Sequence, residues 1–136
     1  LWLSARYFTS FSAAPRAPPQ AVIVSATLEL FINEVSFATV VPTLLDLVPY
    51  PVSGLRSRDF DSPPLVFQRL KFFRADQGKP IAIDVTPLMR EAQRLRLSDF
   101  QMRFLLDLAV SDIGFVGIED LPRVSITAPL LMVEYE

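Results

Sequence analysis

The sequence predicts an all-β protein, an antiparallel, jelly-roll-like β-sandwich with one short helix near residues 87–95. Three observations carry that expectation. Residues 22–32 and 100–108 alternate apolar and polar side chains with a period of two, as half-buried strands do. The strand-like runs are separated by Pro-rich or polar loops, and the chain holds 12 Pro against only 4 Gly. A helical period appears once, over about two turns.

The elements follow in order. Residues 1–11 alternate, with Leu1, Leu3, Ala5 and Tyr7 on one side and Trp2, Ser4, Arg6 and Phe8 on the other, a strand with two usable faces. Residues 12–20 form a Pro-rich tether. Ala26, Leu28, Leu30 and Ile32 then point one way, and Thr27, Glu29, Phe31 and Asn33 the other. Residues 36–48 read as a further strand, which Pro42 assigns to an edge or a bulge because it lacks a backbone donor. A long polar loop leads to the strand "LVFQRLKFFR", the turn "ADQGKP" and the short strand "IAIDV". The run from Phe100 to Leu108 and the C-terminal "RVSITAPLLMVEYE" complete the strands.

The helix is expected at "TPLMREAQRL". Thr86 is a hydroxyl cap, and Pro87 suits the first helical position, where its missing N–H costs nothing. Leu88, Ala92 and Leu95 share a face flanked by Met89, while Arg90, Glu91, Gln93 and Arg94 face water. So short a helix must pack on a sheet, and plugging an open end of a sandwich is the natural use. Asp84, just before it, suits the positive end of the helix dipole.

Composition narrows the function. A chain of 136 residues is expected to form one domain over 1–136, and at this size ~70% of the unfolded surface can be buried without a staple. There is no Cys and no His, so thiol or imidazole nucleophilic machinery and Cys or His metal sites are excluded. A net charge of −2 gives no electrostatic basis for nucleic-acid binding. No run approaches the ~18 apolar residues of a membrane span. Yet 51% of residues are hydrophobic, which points to apolar surface covered by a partner. No cofactor is expected, and the chain reads as non-catalytic. The opening residues do not form a charged segment followed by a signal core, so the sequence reads as a mature or excised piece.

Asp59 and Asp61, two apart in a loop, are the carboxylates best spaced to share a Ca²⁺, although few other oxygen donors lie nearby. Trp2, Tyr50, Phe72 and Phe73 are the aromatics that could present a face to a sugar ring or a subunit. In "LKFFR" one Phe must face away from the other. Leu1, Trp2, Leu3, Tyr7 and Phe8 make the first strand either an assembly element, able to enter a neighbouring chain's sheet, or an ordinary first strand of its own sandwich.

The pieces "VIVSATLELFI" (22–32), "IAIDVTPLMREAQ" (81–93), "FQMRFLLDL" (100–108) and "APLLMVEYE" (128–136) together resemble the DNRLRE-type family. These are β-sandwiches related to carbohydrate-binding modules and found in secreted and cell-surface proteins. "SARYFTSF" (4–11) is similar to the strand that names the family. The family pattern carries further strands before Leu1, so the resemblance implies either that another copy or chain supplies them or that the fold is a reduced version. The resulting expectation is a structural subunit of an extracellular, cell-surface, virion or filament assembly, a homo-oligomer or one held by neighbouring subunits. The alternative implied by the resemblance is a polysaccharide-binding module.

Overall fold

The computed structural model describes residues 6–12, 18–51, 53–107, 114–119 and 128–136. Two antiparallel sheets enclose one apolar core. The first joins, in spatial order, β1 (Tyr7–Ser12), β6 (Asp99–Leu106), β3 (Val40–Leu47) and β4 (Val66–Phe73). The second places β5 (Lys79–Asp84) on one side of β2 (Ile23–Ser36). On the other side of β2 lie β8 (Leu130–Tyr135), along its first half, and β7 (Phe115–Ile118), along its last residues. The expected antiparallel sandwich, with one short α-helix among the described residues, is therefore the observed architecture.

The long strand β2 organises the core. Ala26, Leu28, Leu30 and Ile32 are all buried, as their spacing predicts. The register shifts against β8 between Ile23 and Ser25 and against β7 between Ile32 and Glu34. Each irregularity resets the alternation, so Ile23 and Val35 also turn inward. Facing them are Phe100, Met102 and Phe104 of β6, Val41, Leu45 and Leu47 of β3, and Phe72 of β4. Each fully buried Leu or Phe here stabilises the fold by about 1.5–3 kcal/mol. Thr43 also faces inward, and its hydroxyl donates to the Val41 carbonyl at 3.2 Å.

Pro42 does not mark an edge. β3 is an interior strand, flanked by β6 and β4. The β3–β6 register runs only from Thr43 to Leu47, so Pro42 sits where that ladder stops. Its carbonyl still accepts from the Asp107 N–H at 3.0 Å, and no donor is asked of its nitrogen.

Over Tyr7–Ser12 the first strand pairs with β6 of its own chain, from Tyr7 opposite Phe104 to Ser12 opposite Asp99. Leu1, Trp2 and Leu3 lie outside the described residues.

The helix α1 (Thr86–Arg94) follows β5 and packs on β2, β4 and β6 with Leu88, Met89 and Ala92 buried. Leu95 is 37% exposed, because the helix has already ended, and Leu97 packs on the core instead. The end is a Schellman turn. Arg96 adopts φ 57°, its N–H donates to the Gln93 carbonyl, and the Leu97 N–H donates to Ala92. At the start, Thr86 is not the cap. Asp84 Oδ1 accepts from the Thr86 N–H at 2.9 Å and from its hydroxyl at 2.6 Å. The Thr86 oxygen in turn accepts from the buried Ala26 N–H at 2.9 Å, tying the helix to β2. Arg90 and Gln93 also do more than face water. Arg90 donates twice to the Ile23 carbonyl, and Gln93 Nε2 donates to Pro18 and Ala21, clipping the approach to β2 against the helix.

Candidate functional site

The concentration of polar chemistry lies on the outer face of the first sheet. Alternation sends Phe100, Met102 and Phe104 inward and so sends Gln101, Arg103 and Leu105 outward from β6. Register places Arg103 opposite Asp46 and Leu105 opposite Leu44. An outward Arg is ordinarily solvated, but Arg103 is only 3% exposed, because residues 56–62 pass over it as a strap.

Arg103 holds that strap through its whole guanidinium. Nε and Nη2 donate to Asp46 Oδ2 at 3.2 and 2.6 Å. Nη1 donates to the carbonyls of Asp59 and Phe60 and to the Ser62 hydroxyl, at 2.9, 3.2 and 3.2 Å. Nη2 also donates to the Ser62 carbonyl at 2.8 Å. Buried charges persist only when paired and hydrogen-bonded in this way.

Asp59 and Asp61 sit on the strap and do not act as a pair. Asp59 is buried and committed to Arg56, accepting from its N–H at 2.6 Å, its Nη2 at 2.9 Å and its Nε at 3.3 Å. The Arg56 guanidinium, then its N–H, hold the Asp59 carboxyl below the usual range. Asp61 is exposed and faces Arg6 Nη2 at 3.3 Å. Among the described residues no group of three or more acidic side chains is placed to hold a metal ion. Asp59 and Asp61, the two carboxylates spaced to share a Ca²⁺, make separate arginine contacts, to Arg56 and Arg6.

The aromatic candidates separate by face. Phe8 points outward and packs edge-on against Tyr50 and Phe60, with ring centroids 5.4 Å apart in each case. Burial pushes the Tyr50 hydroxyl above its usual range, against the opposing effect of its hydrogen bond with Ser10. Tyr7 points inward onto Phe104. Phe72 is a core residue, 1% exposed, and cannot be a contact for ligand or subunit; strand parity puts it on the inner face. Its neighbour Phe73 is 46% exposed, so the two Phe do face apart.

Beside the strap the outer face opens into a groove of about 430 Å³. Its base carries Leu44 and Leu105, and its sides carry Phe60, Phe67, Pro63 and Pro64. The charges around it are mutually satisfied: Arg6 with Asp61, Arg69 with Asp107, Arg103 with Asp46. The Arg69 guanidinium also stands 5.3 Å from the Phe67 ring centre. Sequence reading missed Arg103 and Asp46. The available signal was a charged residue at an outward position inside each of two strongly apolar strands.

No protein-family model, curated protein or solved structure matches this chain.

Proposed function

We propose that the protein is a non-catalytic structural subunit whose sandwich packs against neighbouring copies through the outer face of the second sheet. The observation that carries this reading is a pair of exposed apolar side chains on that face, set among the polar Thr27, Glu29 and Asp84. Leu130 and Met132 of β8 are 49% and 45% exposed. They lie beside Glu29 and Thr27 of β2, which face Ala82 and Asp84 of β5. A one-sided antiparallel sheet of a lone domain usually turns polar side chains to water. The charged groups of the first sheet fit the same reading, since their pairings hold a loop in place. The extracellular, cell-surface, virion or filament setting belongs to this proposal and rests on the family resemblance.

Polysaccharide binding has less support. Of the aromatic faces proposed for it among the described residues, Phe72 is in the core and Tyr50 packs on Phe8, which leaves Phe73. Sedimentation equilibrium at micromolar concentration tests the assembly reading. An oligomer that dissociates on Leu130→Lys with Met132→Lys is expected. A monomer across the range, together with retention on insoluble polysaccharide, would replace it with the binding-module reading.

A further inference from the structure

Two exposed rows of side chains on this molecule complement each other. On β4, alternation turns Phe67, Arg69, Lys71 and Phe73 to the outer face, all exposed. On β8 it turns Leu130, Met132, Glu134 and Glu136 outward, all exposed. Successive side chains in such a row stand about 6.8 Å apart. Laid antiparallel, the rows match position by position: Met132 on Phe73, Glu134 on Lys71 and Glu136 on Arg69. Among the described residues Lys71, Glu134 and Glu136 have no ion-pair partner. Arg69, 3.3 Å from Asp107, keeps its side chain 65% exposed. Arg74 and Lys79, also without an ion pair there, carry the positive charge round the corner from β4 to β5.

The apolar end of the match has a receiving shape. β4 and β5 are marginal strands of opposite sheets, bridged where Gln68 Nε2 donates to the Asp84 carbonyl at 2.8 Å. Between them lies a hollow of about 270 Å³ lined by Leu70, Lys71, Phe73, Ile81 and Ile83. Met132 is unbranched and flexible, which suits an irregular hollow. Neither row fits a copy of itself. Full overlap of two β4 rows sets Lys71 against Arg69, and like charges facing each other are unfavourable. Full overlap of two β8 rows sets Glu134 against Met132 and Glu136 against Leu130, with no cation for either carboxylate. Within one chain the rows lie on the outer faces of different sheets, so they meet only between copies.

We propose that β8 of one copy lies antiparallel across the β4 row of the next, with Met132 at the hollow beside Phe73, Glu134 on Lys71 and Glu136 on Arg69. This contact rests on the reading of the chain as a subunit that packs on its own copies, and adds the surface that receives the second sheet. The surface offered differs from the surface accepted, so the contact repeats head to tail and builds rings or filaments rather than two-fold pairs.

Charge exchange, read by sedimentation velocity over a concentration series, tests the pairing. Lys71→Glu and Glu134→Lys are each expected to weaken self-association by about tenfold or more, since like charges then face each other, with the far-UV circular dichroism retained. Lys71→Glu combined with Glu134→Lys in one chain keeps the net charge of −2. That double variant is expected to associate within about threefold of wild type, a coupling that two independent sites do not show. Wild-type-like association of either single variant would overturn the contact and leave assembly through another surface standing. A double variant no tighter than the single ones would overturn it too. A wild-type chain that stays monomeric throughout would overturn the assembly reading and this contact with it.

Discussion

Arg103 shows how strongly one side chain can depend on its surroundings. It pairs with Asp46, neutralises a buried carboxylate and supplies donors to three strap carbonyls. Arg103→Met removes all of these and leaves Asp46 buried without its ion-pair partner, so a loss of about 3–5 kcal/mol is expected by urea denaturation. Arg103→Met combined with Asp46→Leu is expected to recover much of it, since an apolar pair leaves no charge unmatched. Thr86 has a similar role on a smaller scale. Thr86→Val strands the buried Ala26 N–H and is expected to cost about 1–3 kcal/mol, while Thr86→Ser keeps the hydrogen bonds and most of the stability. The acidic residues fix the pH response. The Asp84 carboxyl is held below the usual range by the Thr86 hydroxyl and then its N–H, as Asp59 is by Arg56. A depressed carboxylate contributes stability that is present above its ordinary pKa of ~3.9 and lost as pH falls through the lower folded value. Unfolding midpoints are therefore expected to fall as pH drops below about 4, and Asp84→Asn is expected to flatten that slope.

At the scale of elements, what was legible was local. The period of two in β2 reports burial of Ala26, Leu28, Leu30 and Ile32 because each strand residue's face is set by its own parity. The Pro87 start and the Leu88–Ala92 face of α1 were legible for the same reason. What was not legible depended on partners far along the chain. Asp46 and Arg103 are 57 residues apart, and Thr86 and Ala26 are 60 apart. Nothing in the sequence states the register that joins them. Pro42 misled because its lack of a donor excludes it only where the ladder asks for one. Leu95 misled because the helical period says nothing about where the Schellman turn ends it. That turn makes its own prediction. Arg96 holds a left-handed conformation that suits Gly, so Arg96→Gly is expected to raise stability by up to about 1 kcal/mol in thermal unfolding.

For the whole molecule, the two sheets present unlike outer faces. The first is roofed by a strap that Arg103 fastens, with Phe8, Tyr50 and Phe60 packed together beside it. The second turns Leu130 and Met132 to solvent from a strand on its margin. On this account the second face is where copies meet, and the surplus of apolar residues in the composition is used there. The chain supplies its own probe. Of its three Met residues, Met89 and Met102 are 1% and 0% exposed while Met132 is 45% exposed. Mild peroxide oxidises accessible Met first, so the buried pair serves as an internal reference. The deciding measurement is the rate of Met132 sulfoxide formation across a protein dilution series. Protection of Met132 that grows with concentration is the expected result; a rate that stays constant from dilute to concentrated protein would contradict the account.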